Sequence, residues 1–267
     1  GGILDLFAQG YFNREGNIVN VSATTPGGIQ ATGGVISDYE VGDDVYRAHI
    51  FTSSGPFNVT ALGDLGNALH YLVVAGGGGT GISATSDRSG GGGAGGFRTN
   101  LPGHPLAGAS LSATVQDYTV TVGGGGTRGV VPGSGSGGSN HNGSPSTFDS
   151  ITSTGGGGGG AGHGTAAVVQ NGAPGAGSPI SIEENSPKSY STGGFGGDQA
   201  PADNGAANTG NGGDADFNAA GFGGGSGIVV VRYKIASTTA DAKATGGAIS
   251  FDIPNGKTIH TFTTSGT

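Results

Sequence analysis

The stretch that decides the fold is Tyr71-Leu72-Val73-Val74-Ala75-Gly76-Gly77-Gly78-Gly79, where a strand-forming run passes directly into a block of glycines. Similar junctions recur at 118–126 and 148–160, and the order is reversed at 223–233, where glycines lead into Ile228-Val229-Val230-Val231-Arg232-Tyr233. Each junction joins a β-strand signal to a segment with too few side chains to build a conventional core. If the glycine blocks are ordered, interactions between their backbones must hold them in place.

The composition allows two interpretations of the glycine-rich region. The chain has 63 glycines and 11 prolines among 267 residues, and only 33% of its residues are hydrophobic, a composition typical of low-complexity or disordered chains. Disorder of residues 75–227 is therefore one alternative. Charged residues make up only 10% of the chain, whereas disordered chains usually stay solvated through their charges. The low charge favours collapse and order.

The ordered alternative is a bundle of polyglycine II helices, which have three residues per turn, a rise of about 3.1 Å and no hydrogen bonds within a helix. Because glycine has no Cβ atom, neighbouring helices can approach closely and bond through their backbones. Ordering glycine costs much conformational entropy, so strands at the edges must hold the bundle in register. The sequence therefore predicts a mainly β fold with an irregular glycine-rich region: short antiparallel strands framing a bundle of polyglycine II helices, with little or no α-helix.

An internal repeat predicts two equivalent β-hairpins. Ala31-Thr32-Gly33-Gly34-Val35-Ile36-Ser37 returns as Ala244-Thr245-Gly246-Gly247-Ala248-Ile249-Ser250, and His49-Ile50-Phe51-Thr52-Ser53-Ser54-Gly55 returns as His260-Thr261-Phe262-Thr263-Thr264-Ser265-Gly266. The turns between the strands carry Gly42-Asp43-Asp44 and Pro254-Asn255-Gly256, residues that favour tight turns. His49 and His260 are equivalent, which indicates a structural role for a neutral imidazole beside a strand.

The predicted organisation of the chain has five parts. They are an N-terminal attachment segment (1–30), the start of a hairpin module (31–69), a glycine-rich polyglycine II domain (70–235), a linker (236–243) and a second copy of the hairpin (244–267). Because the second copy stops within the repeated motif, we expect the natural polypeptide to continue beyond Thr267.

Charge and hydropathy exclude several partners. The net charge is -8, and the 10 Lys and Arg residues form no basic stripe, so nucleic acid is not an expected partner. No apolar run approaches the roughly 18 residues of a membrane span, and we expect no membrane insertion. The chain has no cysteine, which excludes disulfides and thiolate metal sites.

The pattern of titratable residues predicts neither catalysis nor a cofactor. The adjacent pair Glu183-Glu184 lies between Pro179 and Pro187, whereas a glycosidase needs two carboxylates facing each other across a substrate. No glycine run is followed by the Gly-Lys-Ser/Thr of a P-loop. The motif at 212–217 has a faint likeness to calcium-binding nonapeptide repeats but occurs once, not in tandem. No metal site is predicted, because the histidines are dispersed without helical i, i+4 spacing: His49, His70, His104, His141, His163 and His260.

The order of the motifs resembles that of a known family. The strings at 71–79, 90–99, 118–124, 146–156 and 225–233 are similar to the glycine-rich domain of tailed-phage fibre and virion proteins, over roughly residues 45–235. Relatives in that family include adhesin tips of long tail fibres, whose glycine blocks form a polyglycine II sandwich. The resemblance implies a host-surface binding or structural role at the virion surface.

The resemblance also implies partners. A phage tail fibre or adhesin component would bind a host cell-surface glycan or an outer-membrane protein, and fibres of this type lead us to expect a homo-oligomer, with a trimer as the fibre-family expectation. Other virion proteins would attach through an apolar face of the N-terminal segment formed by Ile3, Leu4, Leu6 and Phe7. The alternatives are a capsid-associated head fibre or decoration protein, and a cellular extracellular adhesion or matrix protein.

Interruptions of the glycine blocks are the candidate binding loops, because loops on a rigid scaffold usually carry binding. We expect loops at the bundle ends at 83–89, 104–110, 134–146, 163–189 and 198–218. Tyr190 and Phe217 are candidates for stacking on a sugar, and the alternative is that they pack over the bundle edge together with Phe195 and Phe222. The candidate polar partners are Asn140, Asn142, Asp198, Asp203 and Asn204.

Overall fold

The computed structural model of the chain describes residues 27–81, 90–129, 141–159, 175–196, 202–215, 221–237, 248–252 and 257–262. These residues form 15 β-strands and no α-helix, which confirms the predicted fold class. Among them there is accordingly no helix of the length and hydropathy needed to cross a membrane.

Two antiparallel sheets face each other as a sandwich. The first sheet contains, in spatial order, β1 (Gln30–Thr32), β4 (Gly55–Ala61), β8 (Asp117–Thr121), β9 (Ser146–Phe148) and β10 (Ile151–Ser153). The second contains β2 (Val35–Val41), β3 (Asp44–Phe51), β13 (Ile228–Ser237), β5 (Ala68–Val74) and β6 (Phe97–Thr99), with β7 (Leu111–Ser112) paired to β5. Because β4 pairs with β8 and β3 with β13, the segments 31–69 and 70–235 fold as one unit.

The core between the sheets is aromatic. Phe57 is fully buried, and the centroid of its ring lies between 5.1 and 6.5 Å from those of five neighbouring rings: His49, Phe51, Tyr118, Phe148 and Tyr233. Side chains alternate between the faces of a strand, so Val229, Val231 and Tyr233 of β13 point into this core. The strand-forming run that follows the last glycine block therefore supplies one wall of the sandwich.

His49 is held between the backbone and a tyrosine. Its Nδ1 lies 2.6 Å from the carbonyl oxygen of Gly33, and its Nε2 lies 2.9 Å from the hydroxyl of Tyr233. A carbonyl only accepts, so Nδ1 carries the proton and Nε2 accepts from the tyrosine. Burial lowers the pKa of His49, which favours the neutral ring. The structural role predicted for this histidine agrees with these contacts.

A second apolar cluster covers the outer face of the second sheet. The hairpin of β11 (Ser178–Ile180) and β12 (Lys188–Tyr190) packs there against Leu72, Val74, Ile228 and Val230. Tyr190 is 0% exposed in this cluster. Residues 163–189 were expected to form a loop at the end of the bundle. Their described part, residues 175–189, instead covers the outer face of the second sheet.

The strand-forming runs of the sequence predict strands near 45–52, 56–61, 70–75, 117–122, 147–152 and 228–235. Five of them are confirmed as β3, β4, β5, β8 and β13, and one needs correction. The strands β6, β7, β11 and β12 were not predicted. Residues 147–152 were predicted to form one strand, but Asp149 adopts a φ of 52° and turns the chain, so that β9 and β10 pair as a hairpin. The predicted second hairpin is confirmed, because β14 (Ala248–Asp252) pairs with β15 (Lys257–Thr261).

The glycine-rich segments form a bundle that extends from the sandwich. Most of them continue a strand or lead into one. We number them in chain order as PG1 (75–81), PG2 (90–96), PG3 (123–129), PG4 (141–145), PG5 (154–159), PG6 (191–196), PG7 (202–206), PG8 (211–215) and PG9 (221–227).

PG1 is the central segment and has six neighbours. Its N–H groups donate in rotation to three segments that run towards the sheets: Ala75 and Gly78 to PG2, Gly76 and Gly79 to PG4, Gly77 and Thr80 to PG9. Its carbonyls accept from the three segments that run away from the sheets, PG3, PG5 and PG8. Each neighbour is met again after three residues, which is the period of a polyglycine II helix.

The six neighbours also bond one another and close a ring around PG1. Its order is PG2, PG5, PG4, PG3, PG9 and PG8, with hydrogen bonds of 2.8–2.9 Å between consecutive members. PG6 lies outside the ring against PG2 and PG8, and PG7 lies outside it against PG8 and PG9. These contacts confirm the predicted polyglycine II bundle within the described residues.

We expect Gly78→Ala to unfold or severely destabilise the protein. A Cβ atom on Gly78 would lie 2.1 Å from the carbonyl oxygen of Gly157, and backbone atoms cannot move aside without breaking the bonds around PG1. The expected loss is more than about 3 kcal/mol. Gly157→Ala is the matched control, because a Cβ there meets nothing within 4 Å. Urea unfolding of both variants tests this, and equal effects would contradict the backbone packing described here.

We also expect stability to fall as the pH drops from about 6.5 to 4. Burial, and secondarily Arg232, lower the pKa of His70 from 6.5 to about 4. In this window the unfolded chain takes up a proton that the folded chain does not, so acidification favours unfolding. The half-exposed side chain limits the effect to on the order of 1 kcal/mol. His70→Gln should flatten the pH dependence of urea unfolding, and an unchanged slope would refute this assignment.

Candidate functional site

The bundle has one end attached to the sheets and one distal end. PG1, PG3 and PG5 leave the sheets, whereas PG2, PG4 and PG9 return to them. At the distal end the segments are tied together, since Gly81 donates to Gly159, Gly129 to Thr80, and Thr80 to Phe222, over 2.8–2.9 Å. The intervals 82–89, 130–140, 160–174, 197–201 and 216–220 follow segments that end here, and they lie outside the described residues.

One side of this end carries a cluster of polar and aromatic residues. Phe195 of PG6, Asp203 and Asn204 of PG7 and Asp214 of PG8 form what we call the distal patch. The Asp214 carboxylate accepts from the N–H of Phe195 (2.9 Å) and from the N–H of Asp203 (3.2 Å). In return, the N–H of Asp214 donates to the carbonyl oxygen of Asp203 at 3.0 Å. One carboxylate therefore fixes PG6 and PG7 on the two sides of PG8.

The distal patch offers groups that can contact a ligand. The side chain of Phe195 is 39% exposed, and Asp203 and Asn204, across PG8 from it, are exposed as well. Asn204 uses its Oδ1 to accept from the N–H of Gly223 at 2.8 Å, and its amide nitrogen has no hydrogen-bond partner among the described residues. An aromatic ring beside a carboxylate and an amide can stack on the apolar face of a sugar and bond its hydroxyls.

The structure brings only some of the predicted site residues together. Asp203 and Asn204 lie in the distal patch, whereas Asn142 lies in PG4, on the opposite side of PG1 from PG8. Asn142 is exposed, and its Oδ1 accepts from the N–H of Gly158 at 2.7 Å. The other predicted contacts and attachment residues lie outside the described residues: Asn140, Asp198, Phe217, Ile3, Leu4, Leu6 and Phe7.

Tyr190 has a packing role in the structure. Its ring is fully buried and offers no exposed face to a sugar, and its hydroxyl donates to the Glu183 carboxylate. Burial, with the Glu183 hydrogen bond as the second cause, raises the pKa of Tyr190, so the hydroxyl stays protonated. The alternative that Tyr190 packs is the one the structure supports.

Two of the expected end loops also lie elsewhere. Residues 104–110 run beside β6 at the sheets, where Ala107 forms a bridge with Thr99. Residues 202–215 supply PG7 and PG8, so the described part of the loop expected at 198–218 belongs to the bundle itself. Residues 202–215 contain too few consecutive glycines to be recognised as bundle members from the sequence.

Asp214 was not predicted as a site residue, although the sequence contains a signal that could have identified it. Side-chain oxygens of Asn and Asp accept from N–H groups of neighbouring segments at the edge of the bundle, where no further backbone carbonyl is present. Asn142, Asn204, Asn211 and Asp214 all do so. An Asn or Asp that adjoins a glycine run is therefore a candidate cap for a lateral N–H group.

Two further features of the described residues bear on binding: their potential metal ligands and a cleft at the sheets. No group of three or more His, Asp or Glu side chains in them could hold a metal ion. A cleft of about 300 Å³ lies between the β1–β2 link and the β3–β4 turn. It is lined by hydroxyl, apolar and glycine residues, among them Thr32, Thr52, Ser53 and Ser54, with no titratable side chain.

Comparison with known proteins gives a family match. Residues 52–194, more than half of the chain, match the family model described as a glycine-rich domain. The match begins after β3, includes PG1 to PG5 and ends within PG6. No curated protein matches the chain.

We expect Asp214→Ala to loosen the distal patch. The substitution leaves the N–H groups of Phe195 and Asp203 without their acceptor, at a cost of about 1–3 kcal/mol. Hydrogen exchange of these two amides should accelerate relative to the amides of PG1. Asp203→Ala is the matched control, because the Asp203 carboxylate has no hydrogen-bond partner among the described residues. The free energy of unfolding of this variant should differ from that of the parent by less than about 0.5 kcal/mol. Unchanged exchange in Asp214→Ala would show that the carboxylate does not fix the patch.

Proposed function

The chain belongs to the glycine-rich domain family, and on this premise we propose that it is a non-enzymatic virion protein, a phage tail fibre or adhesin component. Its bundle presents the distal end to the host surface. The proposed partner is a host cell-surface glycan or an outer-membrane protein. Attachment to other virion proteins is assigned to the N-terminal segment, and the assembly is proposed to be a homo-oligomer, with a trimer as the simplest fibre arrangement.

The observation that carries the proposal is the construction of the distal end. PG1 is hydrogen-bonded to six neighbouring segments, these six bond one another in a closed ring, and five intervals of chain follow segments that stop at one end of this bundle. A scaffold with fixed backbone positions reduces the ordering cost of binding.

The distal patch supports recognition of a saccharide in particular. Its exposed groups come from two segments, PG6 and PG7, which Asp214 of PG8 holds in place, so their spacing is set by the bundle. The net charge of -8 and the Asp203 and Asp214 carboxylates favour neutral or basic sugars over acidic ones.

The test is adsorption of the particle that carries this chain. Phe195→Ser combined with Asp203→Ala should reduce host adsorption by about tenfold or more, because central contacts of a recognition surface are each worth over about 1 kcal/mol. Leu106→Ser is the matched control, since Leu106 is 55% exposed but lies beside the sheets. Both variants should keep the unfolding transition of the parent.

Labelling of intact particles distinguishes this proposal from its alternatives. An antibody against residues 163–220, viewed by electron microscopy, should mark fibre or tail tips and block adsorption. Label spread over the capsid would replace the proposal with a decoration protein, and the absence of label on particles would replace it with a cellular adhesion protein. If the antibody labels the tips but the variant with Phe195→Ser and Asp203→Ala adsorbs normally, the chain lies at the tips and the distal patch is not the contact with the host.

A further inference from the structure

Arg232 is a buried cation with no carboxylate partner. Its side chain stands on the outer face of β13, below the β11–β12 hairpin, and it is 6% exposed. The ion pairs among the described residues are Arg47 with Asp38, Lys188 with Glu183 and Lys234 with Asp44, and none includes Arg232. Burying a charge without a counter-charge costs several kcal/mol, so the surroundings of this guanidinium need an explanation.

Neutral groups surround the guanidinium. Its Nη1 donates to the hydroxyl of Tyr39 at 2.8 Å and to the carbonyl oxygen of Ser181 at 3.3 Å, and its Nε lies 3.4 Å from Nδ1 of His70. The guanidinium carbon lies 4.4 Å from the centroid of the Tyr46 ring, a cation–π contact. Nη2 has no hydrogen-bond partner among the described residues. Two N–H donors of a charged group therefore remain available.

The nearby carboxylates are committed to other groups. Asp44 pairs with Lys234 at 2.6 Å and accepts from the hydroxyl of Ser237. Glu183 accepts from the hydroxyl of Tyr190 and pairs with Lys188 at 3.4 Å. The local charge around Arg232 is consequently positive, although the chain as a whole is acidic.

The side chains that border Arg232 are partly exposed to solvent. Tyr39, Tyr46 and His70 are half-buried and border Arg232, so their outer edges reach solvent. We infer that Arg232 anchors a binding site for a small oxyanion, a carboxylate or phosphate group, bordered by Tyr39, Tyr46 and His70. Charge-assisted hydrogen bonds from Nη2 would hold the anion, in a setting where partial burial strengthens them.

The site differs from the distal patch in place and in chemistry. It lies on the sheets and binds an anion, whereas the distal patch lies at the far end of the bundle and carries carboxylates. The inference therefore stands or falls independently of the proposed function.

The test is a titration of the whole chain with inorganic phosphate, and separately with glucuronate, at constant ionic strength. The ¹⁵N–¹H signals of the Arg232 guanidinium should shift saturably, and the His70 ring should become easier to protonate because a bound anion stabilises its cation. A response to phosphate alone assigns a phosphate group, and a response to glucuronate alone assigns a carboxylated saccharide. Guanidinium signals that stay unchanged with both anions would overturn the site.

Two variants separate specific binding from general stabilisation by salt, since phosphate stabilises many proteins by exclusion from their surfaces. Arg232→Met should lose the saturable rise of Tm in phosphate. Arg47→Gln should keep it, because Arg47 already has Asp38 as its counter-charge. An equal rise in all three proteins would overturn the inference. If Arg232→Met does not fold, the guanidinium signals of the parent protein decide the question alone.

Discussion

Every part of this molecule depends on one constraint: an N–H group of a glycine segment must find a carbonyl on a neighbouring segment. PG1 meets this constraint along most of its length: the donors of residues 75–80 are directed to PG2, PG4 and PG9, and the carbonyls of residues 76–80 accept from PG3, PG5 and PG8. A three-residue turn directs successive groups about 120° apart, and only a ring of six neighbours satisfies donors and acceptors in all directions. Close approach is possible because no Cβ atom stands between the backbones. The bundle thus replaces a hydrophobic core with backbone pairing.

The sandwich supplies what the bundle lacks. Glycine loses more entropy on ordering than any other residue, and a register that slips by one residue would exchange every lateral partner. Strands that continue directly into the segments prevent such slips, because β5, β8, β10 and β12 lead into PG1, PG3, PG5 and PG6, and β6, β9 and β13 receive PG2, PG4 and PG9. The aromatic core around Phe57 fixes the strands, and the strands fix the glycines.

The sequence predicted the parts of this architecture that it marks with strong local signals. Runs of β-branched residues beside glycine blocks located β5, β8 and β13, and the repeat located both hairpins. It did not show that PG7 and PG8 belong to the bundle, because polar residues interrupt the glycines there, and three of them, Asn204, Asn211 and Asp214, act as lateral caps. The burial of Tyr190 was equally hidden, since it results from a hairpin that crosses a sheet face distant in sequence. The distal patch is built from PG6, PG7 and PG8, which come together only in the tertiary structure. The sequence therefore predicted Asp203 and Asn204 as site residues but not Asp214.

The internal repeat preserves the residues that the hairpin geometry requires. Gly33 and Gly34 adopt φ angles of 109° and 62°, which other residues rarely adopt, and the carbonyl of Gly33 bonds His49. Phe51 packs beside the aromatic core. Their counterparts by sequence are Gly246, Gly247, His260 and Phe262, whereas the turn residues 42–44 and 254–256 differ. The repeat therefore keeps the residue types that fix the link and the core contact in the first hairpin, and it varies at the turn.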